Sequence, residues 1–182
     1  MTSNLNKIRA SLNKRVNSEL FFRWRSKTTR LLGRYVQMKP PNQADWGEID
    51  ENNLDANWAF KQFSGKTFEE AKELFQKNAL HYQEDLTSMP KPVFNFYAPA
   101  LVSYLSSPLA AGDSDGASSF MHMLIWMLKK QRNILDLKTE TLLVETANDI
   151  ADKQDFYEAD VGIYGRFSDL NEEICELARG IT

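Results

Sequence analysis

An all-α fold is what the sequence predicts, and three features predict it. The 182 residues include only eight glycines and six prolines, the two residues least tolerated inside helices. Apolar residues make up 42% of the chain, and along most of it they recur at three- and four-residue steps. Strict apolar/polar alternation over the length of a strand is hard to find. The expected architecture is an irregular bundle of six or seven helices: a single domain over residues 41–182, preceded by a basic N-terminal helical arm over 1–40.

Each element has its own signal. Leu5, Ile8, Leu12, Val16, Leu20, Trp24, Leu31 and Tyr35 mark an amphipathic helix over 5–36. Pro40 and Pro41 stop it, and the stretch to residue 53 reads as a loop with Trp46 as an anchor. A short helix over 54–63 carries Trp58 and Phe63. Next comes Gly65-Lys66-Thr67, which has the look of the end of a phosphate-binding loop. That loop needs a glycine five residues before Gly65, and Phe60 stands there instead. Thr67 and Glu70 have the spacing of a capping box, so the motif is a helix start. The helix it opens is expected over 67–87, with Phe68, Ala71, Leu74, Phe75, Ala79, Tyr82 and Leu86 on one face. Another begins near Pro92, with a bend at Pro99. Asp113 or Ser114 caps the most apolar helix, about 114–130, which the composition places at the centre of the bundle. The last two helices cover about 137–156 and 168–180.

Charge is divided along the chain. Residues 1–44 carry ten Lys/Arg against Glu19 alone, and the remainder carries 12 Lys/Arg against 24 Asp/Glu. A basic arm of this kind serves either an external polyanion or the protein's own acidic body, and both readings stand open. No apolar run has secretory or membrane-spanning length; the longest, "FMHMLIWML" at 120–128, reads as a buried helix. With Cys175 as the only cysteine, no internal disulfide can form, and a cytoplasmic protein is expected.

Motifs that would carry a reaction are thin. Asp113 and Asp115 in "GDSDG" would begin a calcium loop, but Phe120, Met121 and His122 occupy the places of its further ligands, so the carboxylates read as helix caps. His81, Glu84 and Asp85 resemble half of a carboxylate-bridged iron site, which needs paired Glu-x-x-His motifs that a chain with two histidines lacks. Cys175 lies among Glu172, Glu173 and Glu176, whose charge suppresses a thiolate. The expectation is a non-enzyme with no metal and no cofactor.

Two regions read as binding surfaces. The basic helix mixes Arg23, Arg25, Arg30 and Arg34 with Trp24, a combination that grips phosphates or anionic lipid, although Trp24 shares the apolar stripe of Leu20 and Leu31. Over 148–177, nine acids stand against Lys153 and Arg166. There Asp149, Asp152, Asp155, Glu158 and Asp160 alternate with Tyr157 and Tyr164, which suits capture of a basic protein as well as it suits a plain solvated face. The stretches "GKTFEEAKELFQKNALHYQEDLTSMP", "FNFYAPALVSYLSSP" and "GDSDGASSF" resemble a family of uncharacterised small bacterial helical proteins. In general character the chain is also similar to immunity proteins that neutralise antibacterial toxins. That resemblance implies a non-enzymatic binding protein whose partner is a basic toxin domain; the alternative is a regulator acting on nucleic acid or membrane through the basic helix.

Overall fold

The buried polar side chains of the helix at Lys91–Leu105 have to find their partners inside the protein, because twelve of its fifteen residues are buried. The computed structural model that shows this describes residues 32–180. Most of the helix expected over 5–36 lies outside the described residues, as do Arg23, Trp24, Arg25 and Arg30. Residues 32–36 are helical, and a separate compact unit begins at Met38.

That unit is all-α. Among the described residues its helices are α1 (Gln43–Trp46), α2 (Leu54–Phe63), α3 (Phe68–Lys77), α4 (Ala79–Leu86), α5 (Lys91–Leu105), α6 (Ser114–Lys130), α7 (Leu137–Ala151), α8 (Val161–Tyr164) and α9 (Phe167–Arg179). Three short 3-10 turns join them at Pro108–Ala110, Arg132–Ile134 and Gln154–Tyr157. No strand is present among the described residues, and no helix of them is long and apolar enough to cross a membrane.

The helix count exceeds the six or seven expected, for local reasons. Asn78 leaves the helical region at φ −164°, and its side chain accepts from the His81 N–H, so the stretch expected as one helix over 67–87 is two. The expected loop before residue 53 holds α1, whose Trp46 is buried and meets Phe60 edge to face at 5.2 Å. The helix expected over 137–156 stops at Ala151. The Gly-Lys-Thr stretch does start a helix: Thr67 N–H donates to Glu70 Oε2 at 2.8 Å, and the two residues form a capping box. These bonds favour the ionised carboxylate and hold the Glu70 pKa below its ordinary value.

The centre of the bundle is α5, not α6 as composition suggested. Twelve of its fifteen residues are buried, so α1, α3, α4 and α7 can pack around it. Small residues at Ala98, Pro99 and Ala100 let neighbours approach, and after Lys91 the helix carries no charge. By contrast α6 keeps an open side with His122, Trp126, Lys129 and Lys130, while α9 covers α6 and α7.

The polar atoms of α5 act as staples. Asn95 Nδ2 donates to the Ile134 carbonyl at 2.8 Å, and Asn95 Oδ1 accepts from Asp136 N–H at 3.0 Å, which fixes the α6–α7 connection. The Tyr97 hydroxyl lies 2.6 Å from the Phe63 carbonyl and 2.9 Å from that of Lys66, holding the α2–α3 turn. Tyr104 donates to Asp113 Oδ2 at 2.7 Å. At the buried end of α5 the Leu105 carbonyl, which no helical N–H can reach, accepts from the Tyr157 hydroxyl at 2.9 Å. Burial raises the pKa of all three phenols and keeps them as donors.

Replacing Tyr157 with Phe keeps the ring and leaves the Leu105 carbonyl buried without a partner. The expected loss is about 1–3 kcal/mol of unfolding free energy, read from urea denaturation at constant m-value.

Candidate protein interface

The connection between α7 and α9 brings most of the predicted acidic residues together. It is held by one side chain. Gln154 Nε2 donates to the carbonyls of Ala159 at 2.9 Å and Gly165 at 2.8 Å, and its Oε1 accepts from Phe167 N–H at 2.8 Å. Both ends and the middle of the loop are thereby tied to a single amide, through its amino group and its oxygen.

Three further attachments fix the loop to the body. Tyr157 plugs into the core beside Leu105. The Phe156 carbonyl accepts from Gly112 N–H at 3.0 Å. The Tyr164 hydroxyl donates to Asp115 Oδ1 at 2.7 Å and accepts from Ser114 Oγ at 3.1 Å. Within the loop, Asp160 caps α8 through Gly162 N–H at 2.7 Å.

Of the residues the sequence pointed to, Asp152, Asp155, Glu158 and Asp160 are exposed on this loop. Two of the others, Tyr157 and Asp149, need correction because they are buried, and the third, Tyr164, is partly exposed. Tyr157 is 1% exposed, because its hydroxyl serves the end of α5. Asp149 is buried to 9% and paired with Lys153 at 2.7 Å, one turn on. Tyr164 is half-buried, with its hydroxyl committed to α6. Of the alternative basic set only Arg34 falls within the described residues, where it is exposed.

What the sequence reading passed over is the apolar content of the same loop. Ile163 is 77% exposed and Val161 53%, and Phe156 is also solvent-facing, as is Leu109 on the 3-10 turn just before Gly112. Single exposed apolar residues are ordinary, but several on one rigid loop between carboxylates are the mark of a contact surface. The available signal was "DVGIYG": two aliphatics at i and i+2 with glycines beside them, too short to build a helix face of their own.

Glu158 adds a backbone feature. Its φ of 53° makes it the non-glycine residue with positive φ among those described, and its carboxylate lies over Gly112. Glycine would suit that conformation better, by roughly 1 kcal/mol.

The remaining candidates separate. Asp113 caps α6 by accepting from Gly116 N–H at 2.9 Å, and with Asp115 held by Tyr164 both carboxylates of "GDSDG" are engaged in hydrogen bonds. Gly116 is needed for contact: a Cβ there would stand 2.9 Å from that of Ala79, where α4 and α6 meet. Cys175 is half-buried, 3.7 Å from Asn148 Oδ1. His81 and Glu84 are exposed while Asp85 is buried, and no group of three or more His, Cys, Asp or Glu among the described residues could hold a metal ion. Burial pushes the Asp85 carboxyl up to about 6; Glu84 and Asp55 add to the rise, and His81 opposes it.

Cutting the three Gln154 bonds with Gln154→Ala is expected to speed amide hydrogen exchange across 155–166 by tenfold or more, and to cost about 2 kcal/mol of stability. Exchange within α5 at the same pH should change only by that global amount. For Asp85 the folded state holds its proton more tightly than the unfolded chain. Stability is therefore lost as pH rises from about 4 to about 6. Asp85→Asn should nearly match the parent at pH 4 and exceed it by about 1–3 kcal/mol at pH 8 in urea titrations. No protein-family model, curated protein or solved structure matches this chain, so its function has to be read from these residues.

Proposed function

We propose that the protein is a non-enzymatic binding module, an immunity protein that occludes a cognate basic toxin domain with the loop between α7 and α9. The observation that carries this reading is the loop's composition under restraint: Phe156, Val161 and Ile163 are held in solvent among Asp152, Asp155, Glu158 and Asp160. Aliphatic and aromatic side chains supply contact energy when a partner removes them from water, at about 25 cal/mol per Å² of apolar surface. The carboxylates around them steer a basic partner and penalise an acidic one.

Rigidity favours the same reading. A loop already ordered by Gln154, Tyr157 and Tyr164 loses little conformational freedom on association, so more of the contact energy is realised as affinity. Glu158 supports it too, since a carboxylate stands where glycine would be the more stable choice. The mechanism is steric and electrostatic, with no bond made or broken. The general similarity to immunity proteins points the same way.

The experiment is to co-purify the chain from its native host, identify the retained protein by mass spectrometry, and measure binding with two variants. Ile163→Asp should weaken Kd by about 30-fold or more, the effect of losing a central anchor. Combined reversal of Asp152, Asp155, Glu158 and Asp160 to Lys should slow association at least tenfold at low salt and flatten its salt dependence. A partner bound equally well by both variants would overturn the reading. So would salt-dependent binding to DNA or anionic lipid that vanishes when Arg23, Arg25, Arg30 and Arg34 are neutralised.

A further inference from the structure

The two ends of α5 are fastened to surfaces of opposite charge. At its first residue Lys91 Nζ donates to the Asn133 carbonyl at 3.0 Å, and one turn on Asn95 holds Ile134 and Asp136, so the connection between α6 and α7 sits at this end. At its last residue the Leu105 carbonyl holds Tyr157, which fixes the α7–α9 loop at the other. A helix of 15 residues lies between them, about 21 Å along its axis at about 1.5 Å per residue.

The end at Lys91 is basic. Lys91, Lys129, Lys130, Arg132 and Lys138 are exposed there. Glu173 offsets Lys129 and Glu140 offsets Arg132, yet the other three lysines outnumber Asp136, whose carboxylate caps α7. Leu137 follows that cap and is 83% exposed. The loop end is the converse, with Val161 and Ile163 in solvent among Asp152, Asp155 and Glu158. Each surface therefore has an apolar contact and a rim of one sign, and the two signs are complementary. Neither can pair with its own likeness, because a two-fold contact would set like charge against like.

We propose that the basic end at Lys91, Lys130 and Leu137 docks the α7–α9 loop of a second copy of this chain. The contact is heterologous: each copy offers its loop to one neighbour and its basic end to another, so copies add head to tail. Both patches are small, which makes the association weak and sensitive to salt. It engages the same loop as the proposed toxin contact, but it rests on the charge at the two ends of α5 and not on that reading.

The full-length chain is followed by sedimentation velocity at concentrations up to about 1 mM, the range that populates a weak contact. Its mean mass should rise with concentration at low salt. The association constant should fall at least tenfold between about 0.01 and about 0.15 M salt, as the screening length drops from about 30 to about 8 Å. Two variants, both checked for folding by near-ultraviolet circular dichroism, then test the pairing. Lys91→Glu with Lys130→Glu, and separately Asp152→Lys, Asp155→Lys and Glu158→Lys, should each be monomeric alone. Mixed in equal amounts they should associate again, because every loop then meets an end of opposite sign. Adding Leu137→Ser and Ile163→Ser to both, which leaves the charges unchanged, should weaken the mixed association at least tenfold. A parent chain that stays monomeric throughout would overturn the inference and leave toxin occlusion standing. Association retained by either charge variant alone, or a mixture indifferent to the two serine changes, would overturn it as well.

Discussion

The near-complete burial of α5 is the constraint on which the rest of this structure depends. A helix surrounded by protein cannot leave its side-chain polar atoms or its last carbonyls to water, and each unsatisfied group would cost about 1–3 kcal/mol. Here every such demand is met from a different part of the chain. Asn95 reaches the α6–α7 connection, Tyr97 the α2–α3 turn, Tyr104 the cap of α6, and the Leu105 carbonyl the α7–α9 loop. These bonds place the ends of the surrounding elements.

The α7–α9 loop inherits its rigidity from that arrangement. Tyr157 belongs to the core by its ring and to α5 by its hydroxyl, which leaves Phe156 and Glu158, its sequence neighbours, directed away from the interior. Gln154 then closes the loop on itself, and Tyr164 ties its far end to α6. Between these points Asp160 caps α8, while Phe156, Val161 and Ile163 remain exposed. A surface built in this way is organised before any partner arrives, the condition under which modest contact area yields tight binding.

What could be read from the sequence divides by the range of the interaction. The Thr67–Glu70 box, the Asp113 cap and the apolar stripe of α3 depend on residues within a turn or two, and each is found where its spacing predicts it. Asn78 was a local signal as well, but the periodicity on either side is continuous and hides the break. The centre of the bundle is not set by the longest apolar run, which lies in α6, but by the small residues and absence of charge after Lys91 that let α5 be buried over twelve of its fifteen residues. In the acidic region, the spacing of Tyr157 and Tyr164 among carboxylates suits capture of a partner. Their hydroxyls answer to Leu105 and Asp115, 52 and 49 residues away, and no pattern within the loop encodes such distant carbonyls and carboxylates. The exposure of Val161 and Ile163 follows from the same long-range bonds, so it was equally out of reach.

Stability is left unused at two places in the molecule. Glu158 holds a left-handed backbone that glycine would hold more easily, and Asp85 holds a charge in the interior against its helix dipole and two other acids. Neither residue is forced there by the core: Glu158 is exposed, and an uncharged residue of the same shape would satisfy the packing around Asp85. Both are carboxylates. A fold that stations its polar atoms so fully along α5 and yet keeps carboxylates at these two positions has conceded stability at the end of α4 and in the α7–α9 loop, and not in its central helix.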